Sequence, residues 1–217
     1  FTLIINTKNM KTYTYLIFFI FIWLITACQE ENERYPFSSD TTVPNPISDI
    51  KVESLPGAVK LTYRIPDDNI ISYVKAECMI NGTLRETKAT SYQNTLTISG
   101  FPDTRTYSIN VYTVSRNEIY SEAKTIQVEP LTAPFQEVYE TLDLFRDFGG
   151  ATVSFENPNE ADLAISLIYI DSLGFWDIAE TYYTKRKTGN ISARGFEPVE
   201  TKFGVYIRDR WNNMTDT

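Results

Sequence analysis

Three regimes of hydrophobic patterning follow one another along the chain. Leu16 to Ile25 is an unbroken run of ten apolar residues, preceded by Lys8 and Lys11, with no acid before Cys28, and closed by the small pair Thr26-Ala27. A cationic start, a short apolar middle and small residues at the end are the layout of a secretory signal; a membrane-spanning helix needs about 20 apolar residues. Residues 29–46 are polar, acidic at Glu30, Glu31 and Glu33, and interrupted by Pro36, Pro44 and Pro46. Such a stretch buries too little apolar surface to offset the entropy of ordering it, so it reads as a tether, at most roughly 60 Å long when fully extended. From Ile47 onward apolar and polar residues alternate with period two, which predicts strands of half-buried sheets. The chain therefore divides into upstream residues and signal (1–27), a cysteine and tether (28–44), and two strand-rich domains (45–130 and 131–217).

In the first of these, Ile50 and Val52 alternate with polar residues, Pro56-Gly57 turns the chain, and Val59, Leu61 and Tyr63 alternate again. Val74, Ala76, Cys78 and Ile80 share one face before Asn81-Gly82, a strong hairpin signal because both residue types tolerate positive φ. Leu96 and Ile98 lead into Gly100-Phe101-Pro102, and Tyr107, Ile109 and Val111 form a further alternating row. Short strands at this spacing predict a β-sandwich rather than βαβ units.

The second half repeats the first. Gly57-Ala58-Val59-Lys60-Leu61-Thr62-Tyr63 returns 92 residues later as Gly149-Gly150-Ala151-Thr152-Val153-Ser154-Phe155, Gly82 as Gly174, and Gly100-Phe101 as Gly195-Phe196. Phe203, Val205 and Ile207 are expected where Tyr107, Ile109 and Val111 stand, so a repeat of whole modules is expected. The segment from Phe135 to Phe145 fits a helical stripe at Phe135, Val138, Tyr139 and Leu142, but the repeat demands a first strand there, and the repeat is followed. Used as a ruler, the same repeat asks for a closing strand running to about residue 225, so these residues are expected to be part of a longer reading frame and Phe203 to Ile207 to lack a neighbour.

Composition narrows the chemistry. There are 20 basic and 28 acidic residues, and removal of residues 1–27 leaves 190 residues with a net charge of −10. Binding of nucleic acid rests on neutralising phosphates with Lys and Arg, so no nucleic-acid partner is expected. The chain contains no histidine, which removes Ser-His and Cys-His nucleophiles and histidine metal sites. Cys78, on the presumed core face, reads as a small hydrophobe. Asp67-Asp68 and Asn159-Glu160-Ala161-Asp162 offer oxygens, but Asn and Asp build turns in just such places, so neither a metal nor a cofactor is expected. The chain is expected not to be an enzyme. Exposed aromatics are the better candidates for binding, since indole and phenol rings combine large apolar area with a polar handle. Trp176 and Tyr183 flank one strand, Tyr206 points outward if Val205 points inward, and Trp211 follows closely. Trp176 and Trp211 are expected on one carbohydrate-binding platform.

Several of these patterns resemble known families. Leu24-Ile25-Thr26-Ala27-Cys28 resembles a bacterial lipobox, which implies cleavage before Cys28, lipidation of its thiol and anchorage to a membrane. Gln29-Glu30-Glu31-Asn32-Glu33 resembles the signal with which Bacteroidetes export lipoproteins to the outer face of the outer membrane. Gly100-Phe101-Pro102 followed by Tyr107, Ile109 and Val111 resembles the fibronectin type III signature, with Tyr107 as its tyrosine corner and Tyr63 in place of the usual strand Trp. Together with Phe148-Gly149-Gly150-Ala151 and Arg208-Asp209-Arg210-Trp211-Asn212-Asn213, the arrangement resembles surface lipoproteins of Bacteroidetes glycan-utilisation systems, whose members continue into a discoidin-like sandwich. The resemblance implies an all-β fold of two tandem fibronectin type III or immunoglobulin-like sandwiches. It also implies a surface-exposed protein that binds polysaccharide or works beside an outer-membrane glycan transporter. A structural or adhesive protein that binds another protein is the alternative.

Overall fold

The computed structural model describes residues 41–217; the signal and Cys28 lie outside the described residues. Two β-sandwiches follow one another. In module 1, one sheet is formed by β1 (Ser48–Leu55), β2 (Ala58–Arg64) and β5 (Thr95–Ser99) in the order β1-β2-β5. Facing it are β3 (Ile71–Ile80), β4 (Thr83–Thr90), β6 (Tyr107–Ser115) and β7 (Lys124–Val128), in the order β4-β3-β6-β7. The inward residues are those of the period-two pattern: Val59, Leu61, Val74, Ala76, Cys78, Ile80, Leu96, Ile98, Ile109 and Val111 form one buried core. Asn81 and Gly82 take φ of 48° and 74°, which closes the β3-β4 hairpin with the twist that its strands need. Tyr107 opens β6 with its hydroxyl donating to Asp103 Oδ1 at 2.9 Å and its ring against Phe101, centroids 4.8 Å apart. Tyr63 is buried, and without a hydrogen-bond partner its hydroxyl is pushed up to a pKa of about 12 by burial.

Module 2 has the same plan and a separate core. β8 (Asp143–Asp147), β9 (Gly150–Glu156) and β12 (Thr188–Arg194) make one sheet, and β10 (Leu163–Ile170), β11 (Trp176–Thr184) and β13 (Phe203–Asp209) the other, in the order β11-β10-β13. Both readings of residues 135–145 hold in part, and the expectation of a strand throughout is corrected. Pro134–Tyr139 is a short helix, α1, that buries Phe135 and Val138, and the strand starts only at Asp143. Proline at the first helical position supplies the fixed φ that a helix start needs.

The repeat is visible in the hydrogen bonds, at an offset of 94 after β6 and β13 rather than the 96 read from the apolar pattern. Ser121 N donates to Thr113 O, and Thr215 N to Ile207 O; Ser115 N donates to Ile119 O, and Asp209 N to Asn213 O. Bridges Val114–Tyr120 and Arg208–Met214 match in the same way. Phe203, Val205 and Ile207 therefore stand where Ile109, Val111 and Thr113 stand, one pleat away from the expected register. An even slip preserves which face is apolar, which is why the pattern alone does not detect it. Past Thr215, no strand lies on the outer edge of β13 among the described residues.

Candidate functional site

The outer face of the β11-β10-β13 sheet is the candidate site. Strand pairing fixes which residues share it, because directly paired residues point to the same side. Ile170 pairs with Trp176, Ile168 with Ile178 and Gly204, Ser166 with Thr181 and Tyr206, and Ala164 with Tyr183 and Arg208. The opposite residues Leu163, Ile165, Leu167, Val205 and Ile207 belong to the core. The face is apolar at its floor, with Ala164, Ser166 and Ile168 buried, and aromatic at its rim: Trp176 is 44% exposed and Tyr183 70%, while Tyr206 is half-buried. Lys202 Nζ lies 5.6 Å from the Trp176 ring. Ser166 and Thr181 meet hydroxyl to hydroxyl at 3.0 Å, a polar pair within the apolar floor.

The corresponding face of module 1 combines charge with tyrosines: Tyr112, paired with Lys75, stands where Tyr206 stands in module 2. The strand pairings place Lys75 where Ser166 stands, Glu77 at Ile168, Glu86 at Ile178 and Lys88 at Thr181. Lys75 is only 6% exposed and its Nζ reaches Glu77 at 2.5 Å and Glu86 at 2.7 Å. Burial alone would lower its pKa, but the hydrogen bonds to Glu77, Glu86 and Tyr120 outweigh it and hold the ammonium charged well above the ordinary range. Tyr73 donates to Glu118 at 2.6 Å and carries Lys88 over its ring at 4.8 Å. One scaffold thus presents a closed ionic network on one module and open aromatic area on the next.

The structure brings together three of the four aromatic candidates. Trp176, Tyr183 and Tyr206 share the face; Trp211 does not, and the expectation of a common platform for Trp176 and Trp211 is corrected. Trp176 lies at the Ile170 end of β10 and Tyr183 at the Ala164 end, both on the outer face, whereas Trp211 follows Asp209, which pairs with Leu163 of the core side. Trp211 instead sits at the junction of the modules. Its ring packs on Gly100, where an added Cβ would lie 2.7 Å from the indole, and Arg210 stacks over it at 4.3 Å. Its carbonyl accepts from Arg85 Nη2 at 3.3 Å, and Asn213 Nδ2 donates to Gly100 O at 3.2 Å. Asp209 holds the turn by accepting from the N–H groups of Trp211 and Asn213, each at 2.8 Å. A cleft of about 380 Å³ remains beside this contact, lined by Phe101, Phe135, Asp162 and Lys185 among others.

Pattern reading missed Ile178 on the aromatic face and Arg85 at the junction. Ile178 was legible as the second apolar residue of the Trp176-x-Ile178 alternation; Arg85 carried no signal, because its role depends on a residue 126 positions away. Several of the oxygens that the turns offer are engaged by residues elsewhere in the chain: Asp68 Oδ2 accepts from Asn45 N and Asn45 Nδ2, at 3.2 and 3.3 Å, and Asp162 and Glu160 pair with Lys185 and Lys187 at 3.4 and 3.8 Å.

Fold and surface define a protein of tandem fibronectin type III-like β-sandwich modules. Residues 44–130 match the family model of a domain of unknown function, DUF4959, and residues 131–217 that of a second, DUF5126. Similar solved structures include a segment of two fibronectin type III domains from chicken tenascin, 15% identical over 74% of this chain and 98% of that one with a TM-score of 0.38. The central fibronectin III array of RIM-binding protein is 15% identical over 76% and 62%, with a TM-score of 0.35. No curated protein matches the chain.

Proposed function

We propose that this is a non-catalytic, lipid-anchored surface protein whose second sandwich captures polysaccharide on the outer face of its β11-β10-β13 sheet. The observation that carries the reading is the replacement of module 1's ionic network by an apolar floor with exposed Trp176 and Tyr183 at its two ends and Tyr206, in the place of Tyr112, between them. Sugar rings present apolar C–H faces that lie flat on aromatic rings, and hydroxyls that the phenols and Lys202 meet at the rim. Cys28 would carry the lipid, and the acidic residues behind it would direct the domain outward, beside a glycan transporter. The absence of histidine from the whole sequence favours binding over catalysis.

Affinity electrophoresis of residues 41–217 in gels containing soluble polysaccharides tests the reading. Retardation by at least one neutral glycan is expected, with Tyr183→Ala reducing it severalfold at unchanged melting temperature. Mobility unaffected by every glycan tested would overturn it. An adhesive role toward another protein has one observation in its favour: the aliphatic Leu173 and Ile178, 78% and 54% exposed, adjoin Trp176, and exposed aliphatic area suits a protein partner better than a sugar. Binding to a protein with no response to any glycan would decide for that alternative.

A further inference from the structure

The tip of the Trp176 indole lies over the backbone of β13. A Cβ added to Gly204 would stand 3.2 Å from Cη2 and 3.3 Å from Cζ3 of that ring, and 2.8 Å from Thr217 Cγ2, inside the separation at which carbon atoms attract. Space rather than backbone conformation requires glycine here. Gly100 and Gly195 have φ of +95° and +92°, and an added Cβ on Gly195 meets nothing within 4 Å, whereas Gly204 lies inside a strand without positive φ. Trp176 belongs to β11, and β10 runs between that strand and β13, so the indole reaches across the sheet and lies along its surface. Its 44% exposure matches a ring with one face covered, and Lys202 Nζ, 5.6 Å from the ring centroid, adds a cation–π attraction that holds it.

Glycine and indole differ together between the modules. In module 1 the strand pairings place Leu84 where Trp176 stands and Asn110 where Gly204 stands. Asn110 uses its side chain, accepting from Thr125 Oγ1 at 2.7 Å. Glycine inside a strand weakens it and marks a place where another group approaches closely; at Gly204 that group is the aromatic ring itself.

The spacing of the two exposed rings sets the length of what they hold. Trp176 and Tyr183 stand on the same edge strand, opposite Ile170 and Ala164, six residues apart along β10 and so roughly 20 Å at about 3.3 Å per residue. A sugar ring is no broader than an indole and covers only one of these platforms; a chain of several linked rings covers both. The strip between them is low, since Ile168, Ser166 and Ala164 are buried. Building on the assignment of this face as a glycan site, we propose that it takes an extended, linear polysaccharide segment laid along the strands from Trp176 to Tyr183, and that Gly204 is the positioning residue that holds the Trp176 ring flat at one end.

The test is calorimetric titration of residues 41–217, which hold both cores whole, with linear oligosaccharides of glucose, mannose and xylose, two and six rings long. In at least one series the six-ring member is expected to bind at least tenfold more tightly than the two-ring member, and Tyr183→Ala to remove that gain. Gly204→Ala is expected to weaken six-ring binding at least threefold at unchanged melting temperature, and to change nothing further once Trp176 is replaced by Ala, which separates positioning of the ring from a general effect on the strand. Equal affinity for both lengths, a Gly204→Ala loss that persists without Trp176, or retardation by a branched polysaccharide with no binding of any linear series would overturn the proposal and leave the glycan site standing. No binding of any glycan would overturn both.

Discussion

Gly100 fixes how closely the two modules meet, and it separates two contributions that glycines make. Replacing Gly100 by Ala imposes the backbone cost of a side chain at positive φ, roughly 1–2 kcal/mol, and in addition drives a methyl into the Trp211 ring. Replacing Gly195 by Ala imposes only the first. Melting curves are therefore expected to show Gly100→Ala as the more destabilising by at least about 1 kcal/mol; equal losses would mean that Trp211 does not rest on Gly100. Lys75 gives a second residue-scale prediction. Lys75→Met leaves Glu77 and Glu86 facing each other and is expected to cost about 2 kcal/mol, below the 3–5 kcal/mol of a fully buried pair because the Glu86 side chain is 40% exposed. The Lys75 hydrogen bond also holds the Glu86 carboxyl below its ordinary value of 4.5. A carboxyl with a depressed folded-state pKa contributes stability that is present above the unfolded value and lost as pH falls through the folded one. Stability is thus expected to decline on acidification below about pH 4.5, and chemical denaturation of Lys75→Met as a function of pH should show a shallower decline than the parent.

At the scale of elements, β13 is the strand with the most to reveal. Ile207 turns both its N–H and its C=O toward Thr215, so Val205 and Phe203, two and four residues earlier, turn theirs to the same edge. Their counterparts Val111 and Ile109 pair with Lys124 and Ile126. Hydrogen exchange of residues 41–217 is expected to be fast at the amides of Phe203 and Val205 and slow at Ile109 and Val111; comparable protection would mean that another segment covers the edge. The same strand shows what sequence reading reaches. Its inward row and its membership of a repeat follow from alternation and from the glycines, because period and turn chemistry are local. Its two-residue register does not, since an even slip keeps every apolar residue inward and only paired hydrogen bonds distinguish the alternatives. The segment before β8 shows the complementary limit. The helical stripe at Phe135 and Val138 and the strand demanded by the repeat compete for one stretch in the sequence, and the chain satisfies both by placing α1 first and β8 after it.

For the whole molecule, the repeated scaffold separates fold from function. Both modules keep the inward residues that make a sandwich, and one outer face differs between them: Lys75, Glu77 and Glu86 form an ion-pair network in module 1, where module 2 has Ser166, Ile168 and Ile178. Three of the four aromatic candidates were legible there because alternation assigns a face to each strand residue. Trp211 was not, because its place depends on how one module meets the other, which no local period encodes. This difference provides the most direct test of the account. Residues 41–217 contain two tryptophans, Trp176 on the face and Trp211 at the junction, so the indole N–H region of a ¹⁵N-labelled sample should show two resonances, assigned by Trp176→Phe. Titration with the polysaccharide that retards the protein is expected to move the Trp176 resonance and leave that of Trp211 in place. Movement of Trp211 alone, or of neither, would contradict the assignment of the outer face of module 2 as the binding surface.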